Sequence, residues 1–315
     1  MSTLRREGNR DMDRMVLKMR QGMSLEDKIR FTQKRVEEWV NHFGLDGVYV
    51  SFSGGKDSTV LLHLVRELYP EAKAMFVDTG LEYPEIKQFV KSFDNVDILR
   101  PKKMFNQVIE EYGFPIISKE VSQYVHEIRT TKSETLKDLR LGKGKQTRFI
   151  LKDKYRYLLD APFKISHKCC HFLKKDPAHK YAKETGRKPI LAIMASESSL
   201  RTNQYLKYGC NAWNNKIPTS TPMAFWTEQD IIQYLKEFDI PYCKDVYGNI
   251  EVNESGKYYL TGLQRTGCMF CGFGCHLDKE PNRFQRLKET HPKQYDYVIN
   301  KLGMGKVLDY IGVKY

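Results

Sequence analysis

The fold of this 315-residue chain is decided by one stretch near its start, Gly47-Val-Tyr-Val-Ser-Phe-Ser-Gly-Gly-Lys-Asp-Ser58. Its first half is β-branched and aromatic, a composition typical of strands, and two glycines then end the strand pattern. From Ser58 to Leu68 the apolar residues recur at helical spacing, so we expect a helix that packs one face on a sheet. The stretch predicts a strand, a glycine-rich turn and a helix in succession.

Strand and helix patterns alternate along most of the remaining chain. Further strands are predicted at 72–77, 96–99 and 189–195. Helices are predicted at 84–93, 105–112, 169–185, 227–238 and 283–302. Alternation of this kind implies right-handed βαβ units. We therefore expect an α/β fold with a doubly wound, mostly parallel, Rossmann-like sheet and with helical additions at the N- and C-terminal ends.

Changes in composition divide the sequence into three predicted parts. Residues 1–45 are charged and helical in pattern, 46–245 carry the strand–helix alternation, and 246–315 are cysteine-rich and then helical. Inside the middle part, about 120–165 is polar and basic, and the run Leu141-Gly-Lys-Gly-Lys145 predicts a mobile loop between helices. We expect this segment to be a basic insertion in the sheet domain.

Charge and cysteine content narrow the class of protein. Lys and Arg number 52 against 39 Asp and Glu, a formal net charge of +13, and residues 127–168 hold twelve Lys or Arg against five Asp or Glu. The chain has neither the apolar core of a signal peptide nor a run near the ~18 apolar residues of a spanning helix. We expect a cytoplasmic protein without a membrane partner, whose seven cysteines serve metal binding or thiol chemistry.

The glycine-rich turn has the chemistry of a phosphate site. Gly54 and Gly55 let backbone N–H groups approach an anion, and a helix N-terminus adds partial positive charge. The hydroxyls of Ser53 and Ser58 and the ammonium of Lys56 would complete the cradle. The spacing differs from the GxxxxGK[ST] loop and from the GxGxxG fingerprint, so neither of those nucleotide sites is predicted.

Three strings resemble motifs of one family. Ser-Gly-Gly-Lys-Asp-Ser at 53–58 is similar to the PP-loop of the adenine nucleotide α-hydrolase-like superfamily, and Asp78-Thr-Gly80 resembles the second signature of its phosphoadenosine phosphosulfate (PAPS) reductase branch. Ala195–Arg201 resembles a strand-end loop of that branch. The resemblance implies that 46–245 is a nucleotide-binding domain for ATP, or for adenosine phosphosulfate (APS) or PAPS. The nucleotide-binding residues that it implies are Ser51, Ser53, Gly54, Gly55, Lys56, Asp57, Ser58, Asp78, Thr79, Gly80 and Glu197.

The same resemblance implies catalytic parts for three side chains. Lys56 would offset the charge of the phosphates, and Asp57 would position Mg²⁺, with Asp78 as the alternative. Arg201 would lie near the nucleotide, where a guanidinium fork suits phosphate or sulfate oxygens.

Cysteines form a second constellation. The adjacent pair Cys169-Cys170 and the string Cys268-Met-Phe-Cys271 resemble the four thiolate ligands of the [4Fe–4S] cluster in APS reductases. Four thiolates also suit zinc, so zinc stays the alternative. Cys275 lies close enough in sequence to replace one ligand or to carry sulfur, and it is equally compatible with a small buried residue.

Three functions are compatible with these strings. The first is an ATP-cleaving enzyme that adenylates an acceptor before sulfur transfer, with the basic segment receiving tRNA or DNA and another protein donating sulfur. The second is an APS or PAPS reductase that releases sulfite with electrons from a thiol protein. No cysteine follows Cys275, so Cys275 would have to replace the usual C-terminal nucleophile. The third is a non-catalytic component of a modification or defence complex that binds nucleotide and nucleic acid.

Overall fold

The computed structural model describes residues 13–144 and 147–315 of the chain. These residues form two compact units whose segments alternate along the sequence. The first unit comprises the residues up to Val77, Tyr83–Leu99 and His179–Thr266, and the second comprises Asp78–Glu82, Arg100–Ala178 and Gly267–Tyr315. The division after residues 45 and 245 stays a prediction. Lys145, at the end of the expected mobile loop, lies outside the described residues.

Strands and helices follow one another along the described residues. The strands are β1 (Val48–Ser51), β2 (Ala74–Val77), β3 (Val96–Leu99), β4 (Ile116–Ile117), β5 (Lys188–Ile190), β6 (Asn211–Ala212), β7 (Thr219–Ser220), β8 (Ile250–Val252), β9 (Tyr258–Leu260) and β10 (Gly272–Phe273). After a helical stretch at 13–21, the α-helices are α1 (Leu25–Phe43), α2 (Lys56–Leu68), α3 (Pro84–Lys91), α4 (Phe105–Glu111), α5 (Lys119–Thr130), α6 (Glu134–Leu141), α7 (Asp176–Thr185), α8 (Ser199–Tyr208), α9 (Glu228–Glu237), α10 (Lys244–Tyr247), α11 (Arg283–Thr290), α12 (Pro292–Asp296) and α13 (Met304–Tyr310).

Six strands of the first unit form one sheet in the order β3-β2-β1-β5-β7-β6. β1 pairs in parallel with β2 on one side and with β5 on the other, whereas β6 is antiparallel to β7. The strands from β1 to β3 proceed outward, and β5 then lies on the opposite side of β1. The predicted α/β fold with a doubly wound, mostly parallel sheet is confirmed, and the strand order reverses between β1 and β5, where open α/β sheets bind ligands.

The core of the first unit is formed by apolar residues of the sheet and of the helices that pack on it. Val50 of β1, Leu61 of α2 and Trp39 of α1 are inaccessible to solvent. Lys28 of α1 is buried as well, and its Nζ donates to both carboxylate oxygens of Asp230 in α9 at 2.7 and 2.8 Å. Because a buried charge needs such a partner, this pair fixes the attachment of α1 to α9.

The second unit carries the basic segment and the C-terminal helices. Its two-stranded parallel sheet joins β4 to β10, with Gly272 opposite Ile116. A Cβ at Gly272 would lie 2.6 Å from the carbonyl oxygen of Pro115, so the close approach of these strands requires glycine. None of the described helices, in either unit, is long and apolar enough to cross a membrane.

Two elements differ in kind from the prediction, beyond small shifts of their ends. The strand predicted at 189–195 is confined to β5, because β5 pairs with β7 at one position and the Ile193 amide then donates to the Leu191 carbonyl at 3.0 Å. The helix predicted at 283–302 is divided, since Pro292 begins a new helix after α11. The first difference matters most, because it frees the residues after β5 from the sheet.

Candidate functional site

A cavity of about 340 Å³ opens in the first unit where β1 and β5 end. It lies at the reversal of strand order, the place at which loops from adjacent strands leave the sheet toward opposite faces. Three cationic and two carboxylate side chains line it together with serine hydroxyls. The lining residues are Ser51, Ser53, Gly55, Lys56, Asp57, Ser58, Leu191, Ala192, Ile193, Glu197, Arg201, Tyr247, Arg265 and Thr266.

Gly54 shapes the loop between β1 and α2. Its φ of 70° lies in the left-handed region that favours glycine. A Cβ would lie 2.6 Å from Val90 Cγ2 and 2.8 Å from Ile86 Cγ2. Backbone conformation and lack of space therefore both require glycine at this position.

Serine hydroxyls hold the loop from within. The Ser53 amide donates to Ser58 Oγ at 3.1 Å, and Ser58 Oγ donates to the Gly55 carbonyl at 2.9 Å. The Gly55 amide donates to Ser53 Oγ at 3.3 Å. Gly55 caps α2 without a side chain, so the partial positive charge of the helix N-terminus lies at the cavity wall.

Tyr247 reaches the same helix N-terminus from a distant segment. Its side chain is buried, and its hydroxyl accepts the Lys56 amide at 3.2 Å and lies 2.8 Å from Thr266 Oγ1. Burial raises the pKa of Tyr247 to about 12, so the hydroxyl keeps its proton at neutral pH. That proton is available to Thr266 or to a ligand oxygen.

The ammonium of Lys56 is enclosed by protein groups. Its side chain is 3% exposed, and Nζ donates to the Gln264 carbonyl at 3.1 Å. Nζ also lies 3.4 Å from Asp57 Oδ1 and 3.2 Å from Glu228 Oε1. Among the described residues neither of these carboxylate oxygens has a hydrogen-bond partner. One cation therefore faces two carboxylates and ties the backbone at Gln264 to the start of α2.

Two guanidinium groups share one carboxylate in the cavity wall. Arg201 is ion-paired with Glu197, and Arg265 Nη2 lies 3.6 Å from Glu197 Oε1. The Met194 amide donates to Glu197 Oε2 at 3.1 Å and holds the carboxylate in place. Burial, reinforced by Arg265, lowers the pKa of Arg201. An anionic ligand in the cavity would oppose these two effects and favour the cationic form of Arg201.

Asp78, Thr79 and Gly80 belong to the second unit, where they form a turn. Asp78 Oδ1 accepts the Gly80 amide at 3.1 Å, and Thr79 Oγ1 donates to Glu82 Oε1 at 2.8 Å. Asp78 Oδ2 lies 3.9 Å from Arg100 Nε. The side chains of the turn thus fix its conformation, and the part of these residues in nucleotide binding stays a prediction.

Four cysteines line one cavity in the second unit. The lining residues are Cys169, Cys170, Cys268, Cys271, Leu81, Phe105, Pro115, Leu173 and Lys174. The Sγ atoms of Cys169 and Cys170 lie 4.0 Å apart. Four soft thiol ligands around an apolar space fit the chemistry of an iron–sulfur cluster. The described residues include no group of three or more His, Cys, Asp or Glu side chains that could hold a single metal ion.

The surroundings of these thiols shift their pKa values in opposite directions. The neighbouring Cys169 thiol, helped by Lys119 and Lys174, lowers the pKa of Cys170 against the effect of burial. Burial raises the pKa of Cys268 to about 11. Burial also opposes the charge on Lys174, but Cys268 and a nearby glutamate raise the pKa of this lysine overall. Lys174 therefore remains a cation beside the cysteine cavity.

The remaining cysteines are buried. Cys275 is 1% exposed and its Sγ donates to the Gly272 carbonyl at 3.1 Å, and burial raises its pKa to about 11. In the first unit Cys210 and Cys243 belong to the hydrophobic core, where burial raises the pKa of each to about 11. Such protonated, enclosed thiols are weak nucleophiles.

The sequence motifs predicted only some of the residues that line the cavity beside β1 and β5. The expected residues that line it are Ser51, Ser53, Gly55, Lys56, Asp57, Ser58, Glu197 and Arg201. The motifs missed the apolar residues after β5 and three polar residues of the later chain. These are Leu191, Ala192, Ile193, Tyr247, Arg265 and Thr266. The run Gln264-Arg-Thr-Gly267 places a basic residue two positions before a glycine, just ahead of the cysteine string, but its spacing alone does not connect it to the loop at 53–58.

Sequence comparisons relate the chain to known proteins. Residues 47–271 match the phosphoadenosine phosphosulfate reductase domain. An uncharacterized protein of Methanocaldococcus jannaschii is 37% identical over 263 residues, which are 81% of this chain and 47% of that protein. A probable FAD synthase of Caenorhabditis briggsae is 38% identical over 82 residues, 23% of this chain and 16% of its own length. The chain thus spans about half or less of these two relatives.

A third relative is the adenosine 5'-phosphosulfate reductase of Staphylococcus haemolyticus, 24% identical over 212 residues, 65% of this chain and 67% of that protein. Among solved structures, PAPS reductase from Candida auris aligns with a TM-score of 0.40 at 15% identity, over 70% of this chain and 90% of that one. FMN adenylyltransferase from Candida glabrata aligns with a TM-score of 0.41 at 11% identity, over 76% and 68% respectively.

Proposed function

The chain belongs to the phosphoadenosine phosphosulfate reductase family, and from this premise we propose that it is a PP-loop enzyme acting on an adenine nucleotide in the cavity beside β1 and β5. One observation carries the proposal: the glycine loop, the N-terminus of α2, Arg201 and Arg265 line a single cavity. Backbone amides, helix N-termini and guanidinium forks are groups with which proteins bind phosphate oxygens. This wall therefore fits the phosphate chain of the nucleotide.

The proposed reaction is cleavage of ATP between its α and β phosphates. An oxygen nucleophile of the acceptor attacks the α-phosphorus, the bond from that phosphorus to the bridging oxygen breaks, and pyrophosphate leaves with the electron pair. A sulfur nucleophile from a donor protein then displaces AMP from the adenylated acceptor. Catalysis in this scheme consists of positioning and of charge neutralisation in a confined site.

Residues of the cavity take distinct parts in this scheme. The backbone at Gly54 and Gly55 and the hydroxyls of Ser53 and Ser58 would hold the pyrophosphate oxygens. Asp57, whose Oδ1 lacks a hydrogen-bond partner among the described residues, would position Mg²⁺. One carboxylate suffices for this, because Mg²⁺ in such sites takes most of its ligands from phosphates and water.

For the cysteine cavity we propose a [4Fe–4S] cluster held by Cys169, Cys170, Cys268 and Cys271, with zinc as the competing outcome. The support is the convergence of four thiols on one mainly apolar space. A cluster bound there would supply electron-transfer chemistry. The chain itself holds the thiols in place and keeps the Lys174 cation beside them.

The basic segment is our proposed surface for a nucleic-acid acceptor, tRNA or DNA. Arg148, Lys152 and Lys154 are exposed, and Phe149 is 63% exposed with a φ of 63°. Positive φ is costly for an aromatic residue, and here Arg140 Nη1 donates to the Phe149 carbonyl at 2.8 Å. Exposed cations bind backbone phosphates and an exposed ring stacks on an unpaired base, so the segment combines both contacts.

The likeness to an APS reductase favours a second candidate, reduction of APS or PAPS to sulfite. This reaction needs a thiol that attacks the sulfur of the nucleotide and a thiol protein that restores it. Cys275 is the cysteine that the sequence offers for the attack, and its burial and its hydrogen bond to Gly272 would have to be released first.

The test follows the products of each candidate. Anaerobically purified protein is incubated with Mg²⁺, ATP labelled in the α phosphate, sulfide as the sulfur nucleophile in place of the donor protein, and pools of tRNA or DNA. The proposal expects AMP and pyrophosphate that depend on an acceptor, with Arg201→Met inactive and Arg30→Met, which removes an exposed guanidinium from α1, unchanged. Sulfite from APS or PAPS with a dithiol protein would favour the reductase instead. Nucleotide binding without any product would favour the non-catalytic component.

A further inference from the structure

Lys56 is the residue from which the inference starts. We propose that Lys56 is a positioning residue that holds Gln264–Thr266, called the 264–266 strap below, on the start of α2. The charge that binds the nucleotide's phosphates then comes from Arg201 and Arg265. This assignment rests on the proposed function, because it concerns roles within the same cavity.

The Lys56 ammonium is buried among protein groups that compensate its charge. Nζ donates to the Gln264 carbonyl at 3.1 Å. It also lies within ion-pair distance of Asp57 Oδ1 at 3.4 Å and of Glu228 Oε1 at 3.2 Å. Two carboxylates face its single positive charge. A phosphate at the loop would therefore meet an Nζ that is 3% exposed and whose charge two carboxylates already compensate.

The 264–266 strap is anchored on both sides of Arg265. Before it, Lys56 holds the Gln264 carbonyl, and Gln264 Nε2 donates to the Leu260 carbonyl at 2.7 Å. After it, Thr266 Oγ1 lies 2.8 Å from the Tyr247 hydroxyl, which accepts the Lys56 amide. Loss of the Lys56 ammonium would remove one of the two anchors on the Gln264 side, the one that ties the strap to α2, and would let Arg265 shift with the strap.

Arg265 has the features of a phosphate ligand that Lys56 lacks. Its side chain is 62% exposed, lines the cavity and lies 3.6 Å from Glu197, the carboxylate that also pairs with Arg201. Two guanidinium groups around one carboxylate leave an excess of positive charge, which a chain of phosphates can bridge in bidentate fashion. The site therefore favours nucleotides with several phosphates over nucleosides.

A double-mutant cycle separates this role from direct phosphate binding. Dissociation constants for ATP and for adenosine are measured by calorimetry on the full chain and on Lys56→Met, Arg265→Met and the double variant. Each single change is expected to weaken ATP binding roughly tenfold or more, the usual worth of a hydrogen bond to a charged group, and to leave adenosine binding unchanged. Because Lys56 acts through Arg265, the double variant should bind ATP no more weakly than Arg265→Met alone.

Independent effects would overturn the inference. If the two losses multiply in the double variant, Lys56 contacts the phosphates without the strap. Lys257→Met, which removes an exposed lysine of the same unit, controls for loss of charge. If Lys56→Met fails to fold in thermal unfolding, the Lys56→Gln/Glu228→Gln pair, which keeps the net charge, takes its place in the cycle. If the wild-type chain binds no ATP, the proposed function is overturned. If it binds ATP and the losses of the two single variants multiply in the double variant, only this inference is overturned.

Discussion

The hydroxyl of Tyr247 accepts a hydrogen bond from the backbone nitrogen of Lys56 at 3.2 Å, although 191 residues separate the two. Helices usually receive such a bond from the side chain of the residue that precedes them, and Gly55 before α2 has no side chain. Tyr247 therefore acts as a cap supplied by tertiary structure. It also lines the cavity at the place where the loop amides would receive phosphate oxygens.

Replacement of Tyr247 by phenylalanine leaves the ring and removes this cap. An amide left without a partner in a buried position costs about 1–3 kcal/mol, so we expect the free energy of unfolding to fall by that amount. Denaturant unfolding of the ligand-free protein measures it. Tyr259→Phe is the matched control, since its exposed hydroxyl bonds to Glu251 at the surface. Equal losses in the two variants would contradict the capping role.

Gly54→Ala tests the loop geometry directly. Forcing alanine into the left-handed region costs about 1–2 kcal/mol, and the 2.6 Å contact of its Cβ with Val90 should add about 1–3 kcal/mol of overpacking. Gly256→Ala is the control, because Gly256 also has a positive φ of 76° but nothing within 4 Å of a Cβ. Denaturant unfolding should show the larger loss at Gly54, and similar losses would mean that the neighbours of Gly54 yield to the added methyl group.

The cysteine cavity predicts the metal content of the protein. Anaerobically purified wild-type protein should contain iron and acid-labile sulfide in equal amounts, and Cys271→Ser should lose both. Cys210→Ser, which alters a buried thiol of the first unit's core, should keep them. Elemental analysis and the absorbance spectrum check both variants. Zinc without sulfide in the wild-type protein, or full iron content in Cys271→Ser, would exclude the proposed cluster.

Charge reversal tests the basic segment as a nucleic-acid surface. Replacement of Arg148, Lys152 and Lys154 by glutamate should weaken binding to single-stranded RNA or DNA and leave the affinity for ATP unchanged. For each phosphate that the variant no longer neutralises, the slope of log K against log salt concentration should fall by roughly 0.7. Fluorescence anisotropy at several salt concentrations measures this.

The control for charge reversal is a triple variant with glutamate at three exposed lysines of the first unit, Lys34, Lys236 and Lys257. Phe149→Ala should lower affinity by about 1–3 kcal/mol because it removes the stacking ring. If the control triple weakens binding as much as the triple in the basic segment, the attraction is a property of the total charge rather than of this surface.

Local features of the sequence were sufficient to predict the loop. Glycines, serines and a helix onset are consecutive between Ser53 and Ser58, and their bonds are mostly to one another. The alternation of strands and helices likewise predicted the parallel sheet, since each βαβ unit is local. What could not be predicted is the contribution of Tyr247 and Arg265, whose positions depend on how the later chain returns to α2.

The strand at 189–195 shows a second limit. Its apolar run predicts a longer strand, but the length of a strand depends on its partner, and β7 pairs with β5 at one position. The residues after β5 line the cavity instead. For the cysteines, the family resemblance indicated the four residues that share a cavity. That Lys174 also lines this cavity could be seen only in the tertiary structure.

Calorimetric titration of the anaerobically prepared full chain with ATP, and with adenosine in parallel, tests the central claim most directly. If the cavity beside β1 and β5 binds the phosphate chain of an adenine nucleotide, ATP should bind at one site, more tightly than adenosine by roughly tenfold or more, as charge-assisted bonds to the phosphates require. Arg265→Met should reduce that difference. Equal affinities for ATP and adenosine, or no binding of ATP, would contradict the claim.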